Sequence, residues 1–251
     1  MLTLPTSLTV DRNKTAEANL IEKSRKWLEK DSKDRKGIHA SDLLDPRKAY
    51  YDKINPQPLS DRMVGLFFVG KVLHAFFLSA LTGEDGVNWK SDGGSTVDKE
   101  LGFSYSPDWT DKKVKPNIPG ELKTSRGKYE QSKSDMGLYL EQLVTYMVGE
   151  KSEDGRLVVL MLSLPAPRGE GWGTYPQYRA YNVYVSKADL AKYKTQLIAT
   201  RKLLQKALKT NSRKDITKLP LCREFKCGKS QCPHYSKCKP EGRWGLKRWD
   251  R

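Results

Sequence analysis

Residues 156–164, RLVVLMLSL, are almost entirely aliphatic, too short for a long helix and bounded by polar segments. Such a run predicts a strand buried within a sheet, which demands layers of structure on either side of it. A second strand is predicted at 178–186, YRAYNVYVS, where Tyr and Val alternate with polar residues. Two further strands are expected at about 96–105 and 117–124. Helical spacing marks 16–30, with Leu20, Ile21, Trp27 and Leu28 as the apolar set, and also 134–149 and 187–209. Ser41 is placed to cap another helix, SDLLDPRKAYYDK, in which Pro46 must sit early or break it. From Asp61 to Leu81 a helix that is apolar around most of its circumference is expected to be buried. Residues 1–15 and 83–95 read as irregular, and PAPRGEGWGTYPQ forms a loop with Trp172 exposed. Helices, a mixed run of strands, a helix, two strands and a helix together make an α/β sandwich with a central sheet.

The chain has 251 residues, enough for one domain or one domain with a small appendage. Its mean hydropathy is -0.70. No stretch of membrane-spanning length is apolar throughout, and MLTLPTSLTVDRNK lacks the basic and apolar regions of a signal peptide, so a cytoplasmic location is expected. The formal net charge is +16, and residues 201–251 hold 16 Lys and Arg against 4 Asp and Glu. That concentration favours a polyanionic partner, nucleic acid above all. The last residues interleave Arg243, Lys247, Arg248 and Arg251 with Trp244 and Trp249, a mixture suited to phosphates and bases.

The chemistry centres on IPGELKTSR, residues 118–126. Side chains alternate along a strand, so Glu121 and Lys123 share one face while Leu122 points into the core. The carboxylate suits a hard divalent cation, and the ammonium can orient an attacking water or neutralise charge on a phosphate. Glu-x-Lys alone also describes an ordinary surface ion pair. Upstream, Asp108 in SYSPDWTD comes beside Glu121 if the two segments form a hairpin. Asp111 competes for that place, and the Pro-Asp step directly after the strand favours Asp108. Two close carboxylates repel, and a cation resolves the repulsion. In VGKVLHAFF, Gly70 and His74 lie four apart on one helix face, and imidazole is a ligand for manganese. Gln142 and Tyr146 in YLEQLVTYMVG are again four apart, placed to bond a phosphate and a base or to brace Lys123.

In this order and spacing, Gly-x3-His, Asp, Glu-x-Lys and Gln-x3-Tyr resemble the RecB-type branch of the PD-(D/E)XK nucleases. Within that branch they are most similar to the CRISPR-associated RecB-like exonucleases and their viral relatives. The resemblance covers about Asp42 to Cys238. It implies a restriction-endonuclease-like core, a mixed central sheet flanked by helices. It implies magnesium or manganese held by His74, Asp108, Glu121 and the Leu122 carbonyl, catalysis by Lys123 with Glu121 and Asp108, and a DNA path lined by Gln142 and Tyr146. The implied activity is metal-dependent hydrolysis of DNA, as an exonuclease preferring single-stranded ends; the competing reading is a non-catalytic or structure-specific DNA-binding module. A viral origin would place it in the host cytoplasm.

All four cysteines, Cys222, Cys227, Cys232 and Cys238, fall in one C-terminal segment. Clustered cysteines in a chain of this size point to a metal centre rather than to disulfides. Gaps of four, four and five residues are looser than the CxxC pairs of zinc ribbons, which favours a 4Fe-4S cluster over zinc. His39 and His234 are spare ligands. Relatives carry one cysteine before the helical histidine, in a motif like Cys-Pro-Arg-x-x-Tyr, and three near the C-terminus. Here Asp45 stands in the first position, ahead of Pro46, Arg47 and Tyr50, so Cys222 is expected to replace it and to make the centre local to the C-terminus. The expected organisation is an N-terminal helical region at 1–60, a nuclease core at 61–215 and a basic Cys-rich segment at 216–251.

Overall fold

The structure, a computed structural model, describes residues 14–32, 37–82, 89–90, 96–125, 136–165, 174–222 and 232–238. Trp172, Cys227 and the tail with Trp244 and Trp249 lie outside them. The chain divides into two compact units, one of residues 1–35 and 58–72 and the other of residues 36–57 and 73–251.

In the first unit, α1 (Lys14–Ser32) packs on the beginning of α4 (Asp61–Thr82). Trp27 meets Phe68 edge to face with ring centroids 5.7 Å apart, and Arg25 reaches the Asp61 carboxylate at 2.6 Å. The expected burial of α4 is corrected: Phe67, Val69, Val72 and Phe76 are exposed. Apolar residues all round a helix are buried only where other elements cover every side. Leu20 and Trp27 are likewise exposed, and Leu28 is the buried member of that set.

The second unit carries a mixed sheet flanked by helices. Its order is β1 (Trp89–Lys90), β4 (Trp109–Asp111), β5 (Ile118–Ser125), β6 (Asp154–Pro165), β7 (Thr174–Tyr184). Strands β5 and β6 are parallel and the other pairs antiparallel. A parallel pair needs a crossover. It is made by α5 (Gly137–Glu150), which packs on both strands. The apolar run of β6 supplies Leu157, Val159 and Met161 to the core, with Leu143 and Met147 of α5. Register places Glu121 opposite Leu157 and Lys123 opposite Val159, so both share the face that meets α5.

Three local expectations are corrected. The span 96–105 is two short strands, β2 (Thr96–Asp98) and β3 (Phe103–Tyr105), paired as a separate sheet. Gly102 makes the turn possible, with a φ of 68° that other residues rarely adopt. The helix expected from Ser41 is two helices, α2 (Ala40–Leu44) and α3 (Pro46–Ile54), because Pro46 starts a new one. Its cap is His39 rather than Ser41, with the His39 amide bonded to the Asp42 carboxylate at 3.0 Å. The long helix α6 (Lys187–Thr210) begins at Ser186, whose hydroxyl accepts from the Asp189 amide. It ends at Asn211, and α7 (Arg213–Ile216) follows.

Gly120 is required by packing. It faces Trp109 in the β4–β5 register, and a Cβ at this position would meet the buried indole at 1.9 Å. Neither backbone nor ring can give way within paired strands. Gly120→Ala is therefore expected to lower stability by about 1–3 kcal/mol in urea denaturation; an unchanged midpoint would show that the ring is free to move.

Candidate active site and cysteine cluster

Strand β5 places Glu121 on a core-facing side of the sheet, where its side chain has no exposure at all. One carboxylate oxygen, Oε1, forms an ion pair with Lys123 Nζ. The other, Oε2, has no hydrogen-bond donor among the described residues. Burial raises the Glu121 pKa strongly; the Lys123 charge opposes that rise and the nearby Asp108 carboxylate adds to it. For Lys123, burial favours the neutral amine, but Glu121 and Asp108 outweigh it and keep the ammonium charged.

Lys123 is held from a second side. Its ammonium donates to Gln142 Oε1 at 3.0 Å, and Gln142 Nε2 donates to the Tyr146 hydroxyl oxygen at 2.6 Å. The spacing of four puts Gln142 and Tyr146 on the face of α5 that meets β5. Tyr146 is buried, at the inner end of this chain of bonds.

Asp108 sits immediately before β4. Its amide donates to the Gly120 carbonyl at 3.1 Å, and its Oδ2 accepts the Leu122 amide at 2.7 Å. The β4–β5 hairpin thus carries Asp108 to the middle of β5. Asp111 pairs instead with Ile118 at the start of β5, and its carboxylate accepts the Lys113 amide. His74 Nε2 lies 3.0 Å from Asp108 Oδ2 and 3.2 Å from the Leu122 carbonyl oxygen. The Leu122 side chain is buried, while its backbone N–H and C=O serve Asp108 and His74. His74, Asp108, Glu121, Leu122, Lys123, Gln142 and Tyr146 are therefore brought together.

Among the described residues, no three His, Cys, Asp or Glu side chains stand as a ready-made metal cage. The side chains instead meet in pairs, His74 with Asp108 and Glu121 with Lys123. Two features nevertheless fit a divalent cation. Glu121 Oε2 is buried without a donor, and Asp108 is close enough to disfavour its charge. Two carboxylates with a backbone carbonyl and an imidazole form a donor set for magnesium or manganese.

The cysteines meet a different part of the fold. Cys222, Cys232 and Cys238 form no disulfide among the described residues, and Cys232 is buried. Burial first, then the Asp45 carboxylate, with Cys238 and Cys232 adding to it, pushes the Cys222 thiol up to about 12, while the Lys48 amide works against them. The Cys222 thiol is thus within electrostatic reach of Asp45, at the start of α3, and of Cys238 and Cys232, but among the described residues these side chains do not form a ready-made metal cage. His234 is buried, bonds the Asp52 carboxylate through Nε2 at 2.8 Å and stacks on Tyr51. Its Nδ1 has no hydrogen-bond partner among the described residues. His39 faces the other way, with Nδ1 2.8 Å from Ser104 Oγ.

Arg47, a positioning residue that the sequence reading passed over as such, locks this arrangement. Its buried guanidinium donates to the carbonyls of Thr217 and Leu219 at 2.8 and 2.7 Å. Tyr50 adds a bond to Asn211. The hint in sequence is its place in the Asp45-Pro46-Arg47 motif.

No protein-family model and no curated protein sequence matches the chain. Solved structures similar to it include the following two. SSO0001 is 19% identical with a TM-score of 0.49, over 74% of this chain and 86% of the other. An alkaline exonuclease, LHK-Exo from Laribacter hongkongensis, is 17% identical with a TM-score of 0.49, over 71% of this chain and 92% of the other.

Arg47→Met would leave the buried Leu219 carbonyl, and the part-buried bond at Thr217, without their donor. Stability is expected to fall by about 3 kcal/mol, read by urea denaturation. A change below about 0.5 kcal/mol would show that the guanidinium does not secure the C-terminal segment.

Proposed function

We propose that this chain is a metal-dependent deoxyribonuclease with a restriction-endonuclease-like core, acting as an exonuclease that prefers single-stranded ends. The observation that carries the reading is Glu121, a fully buried carboxylate with one oxygen on Lys123 and the other without a donor among the described residues, beside Asp108. Desolvating such a group is costly, and a surface ion pair has no use for it. A cation and a phosphate arriving at the site would compensate the cost.

Asp108, Glu121, His74 and the Leu122 carbonyl would hold magnesium or manganese. The bound cation would polarise the phosphate and favour ionisation of an attacking water. The Leu122 amide fixes the Asp108 carboxylate, and His74 is held against both Asp108 and the Leu122 carbonyl. Lys123 would neutralise charge growing on the phosphate, since its ammonium stays protonated between two carboxylates. Gln142 and Tyr146 position that ammonium, and in this reading Gln142 would border the DNA path with Tyr146 behind it. The preference for DNA ends, the nuclease core at 61–215 and a cytoplasmic setting belong to the same proposal.

Labelled single-stranded, duplex and circular DNA, incubated with magnesium or manganese and with a chelator, tests it. Single strands are expected to shorten from an end, circles to survive and the chelator to stop the reaction. Glu121→Ala and Lys123→Ala should each lower the rate about 100-fold or more while DNA still binds. Lys123→Arg should fail too, because a planar guanidinium does not fit the place of a compact ammonium. Cleavage by chelated protein, or by both alanine variants at the wild-type rate, would sink the assignment. DNA binding without hydrolysis under any metal would leave a binding module.

For Cys222, Cys227, Cys232 and Cys238 we propose one structural metal centre, a 4Fe-4S cluster in preference to zinc. The segment from Leu219 to Cys238 is Lys-rich with few apolar residues, so it needs a source of folding energy beyond burial. Anaerobically purified protein should contain iron and sulfide with broad visible absorbance. Zinc in place of iron would correct the metal. Absence of metal, with Cys232→Ser as stable as the wild type, would remove the centre.

A further inference from the structure

From Leu190 to Lys214 the chain contains eight Lys and Arg and no Asp or Glu. Most of this stretch is α6, whose Leu190, Leu197, Leu204 and Ala207 are buried. The helix packs on α5 and α3, and α5 in turn lies against β5 and β6. Its exposed side presents Lys192, Thr195, Ala199, Lys202, Lys206 and Lys209. Steps of three and four residues align these on one stripe, about 25 Å long at 1.5 Å per residue. Exposed Lys214 follows just beyond the helix end.

The charges on this stripe are mostly not neutralised. Lys192 pairs with Asp189 in the first turn, and Lys206 with Asp215 at 3.5 Å. Lys202, Lys209 and Lys214 have no acidic partner among the described residues. Repulsion between like charges one turn apart destabilises a helix slightly, so the row works against stability unless an anion joins it.

We propose that the outer face of α6 binds the sugar–phosphate backbone of duplex DNA, behind the strand end presented to the active site. The surface fits that occupant better than others. It has no large exposed apolar residue among those described, so it offers neither the anchor of a protein interface nor the inserting face of a membrane helix. It has no exposed aromatic side chain, so it lacks the stacking platform by which single strands are held. What remains is a straight row of ammonium groups with Thr195, Gln196 and Gln205 alongside, donors suited to phosphate oxygens. The proposal rests on the nuclease reading only in making this DNA the substrate's own flanking duplex.

The test is the salt dependence of binding to a labelled blunt duplex in chelator, with fluorescence anisotropy as the readout. A variant combining Lys202→Gln, Lys209→Gln and Lys214→Gln breaks no ion pair and should keep the wild-type melting midpoint. Each phosphate contact contributes about 0.9 to the slope of log affinity against log salt, so the slope should fall by about 2 to 3. Affinity at about 50 mM salt should drop at least about tenfold. Arginine at the three positions should restore both, and Lys99→Gln, Lys113→Gln and Lys151→Gln together, the same loss of charge elsewhere, should not reproduce the effect. An unchanged slope, an equal loss in that control, or no duplex binding by the wild type would each overturn the proposal. If the wild type binds through this row but hydrolyses nothing with metal, the nuclease reading fails and the surface stands. If it hydrolyses DNA and the slope is unmoved, the surface fails alone.

Discussion

A fully buried carboxylate paired with a partly buried lysine is the constraint around which this fold is arranged. Glu121 has no exposure, and its desolvation is offset only in part by Lys123. Holding that pair requires elements from distant parts of the sequence. Parallel β5 and β6 set the face, α5 closes over it, and the β4–β5 hairpin brings Asp108. The Gln142–Tyr146 bond fixes the far side of Lys123. Gly120 lies one residue before Glu121, where the Trp109 ring crosses the backbone. Loosening any of these would let the ammonium leave a carboxylate that water cannot reach, which costs several kcal/mol.

That arrangement suits hydrolysis of a charged diester because it keeps strong electrostatic groups in a place of low dielectric. The same charges would be worth far less on the surface. A second set of contacts answers a different need. Arg47, Tyr51 and Asp52 of α3 reach the C-terminal segment. Residues separated by some 170 positions in sequence are joined there, which ties together the two ends of the second unit.

Much of the central site was legible because it is written in local periods. A period of two puts Glu121 and Lys123 on one face, and a spacing of four puts Gln142 with Tyr146. The β6 and β7 runs, α5 and α6 follow from the same rules. Contacts between elements were less legible. That Asp108 binds the Leu122 amide, or that Lys123 reaches Gln142, depends on register and crossover geometry that no local pattern encodes. The burial of α4 was misjudged because composition does not say which sides find partners. The break at Pro46 and the turn at Gly102 are backbone effects of single residues inside otherwise regular patterns. That Arg47 meets two carbonyls far along the chain is likewise not revealed by the spacing of the cysteines alone.

The most direct measurement of the central claim is anomalous diffraction from crystals grown with manganese. The account predicts a single strong peak among Asp108, Glu121 and the Leu122 carbonyl, with His74 beside it, lost in crystals of Glu121→Gln. Manganese absent from this position while bound elsewhere, with Glu121 still paired to Lys123 alone, would contradict it.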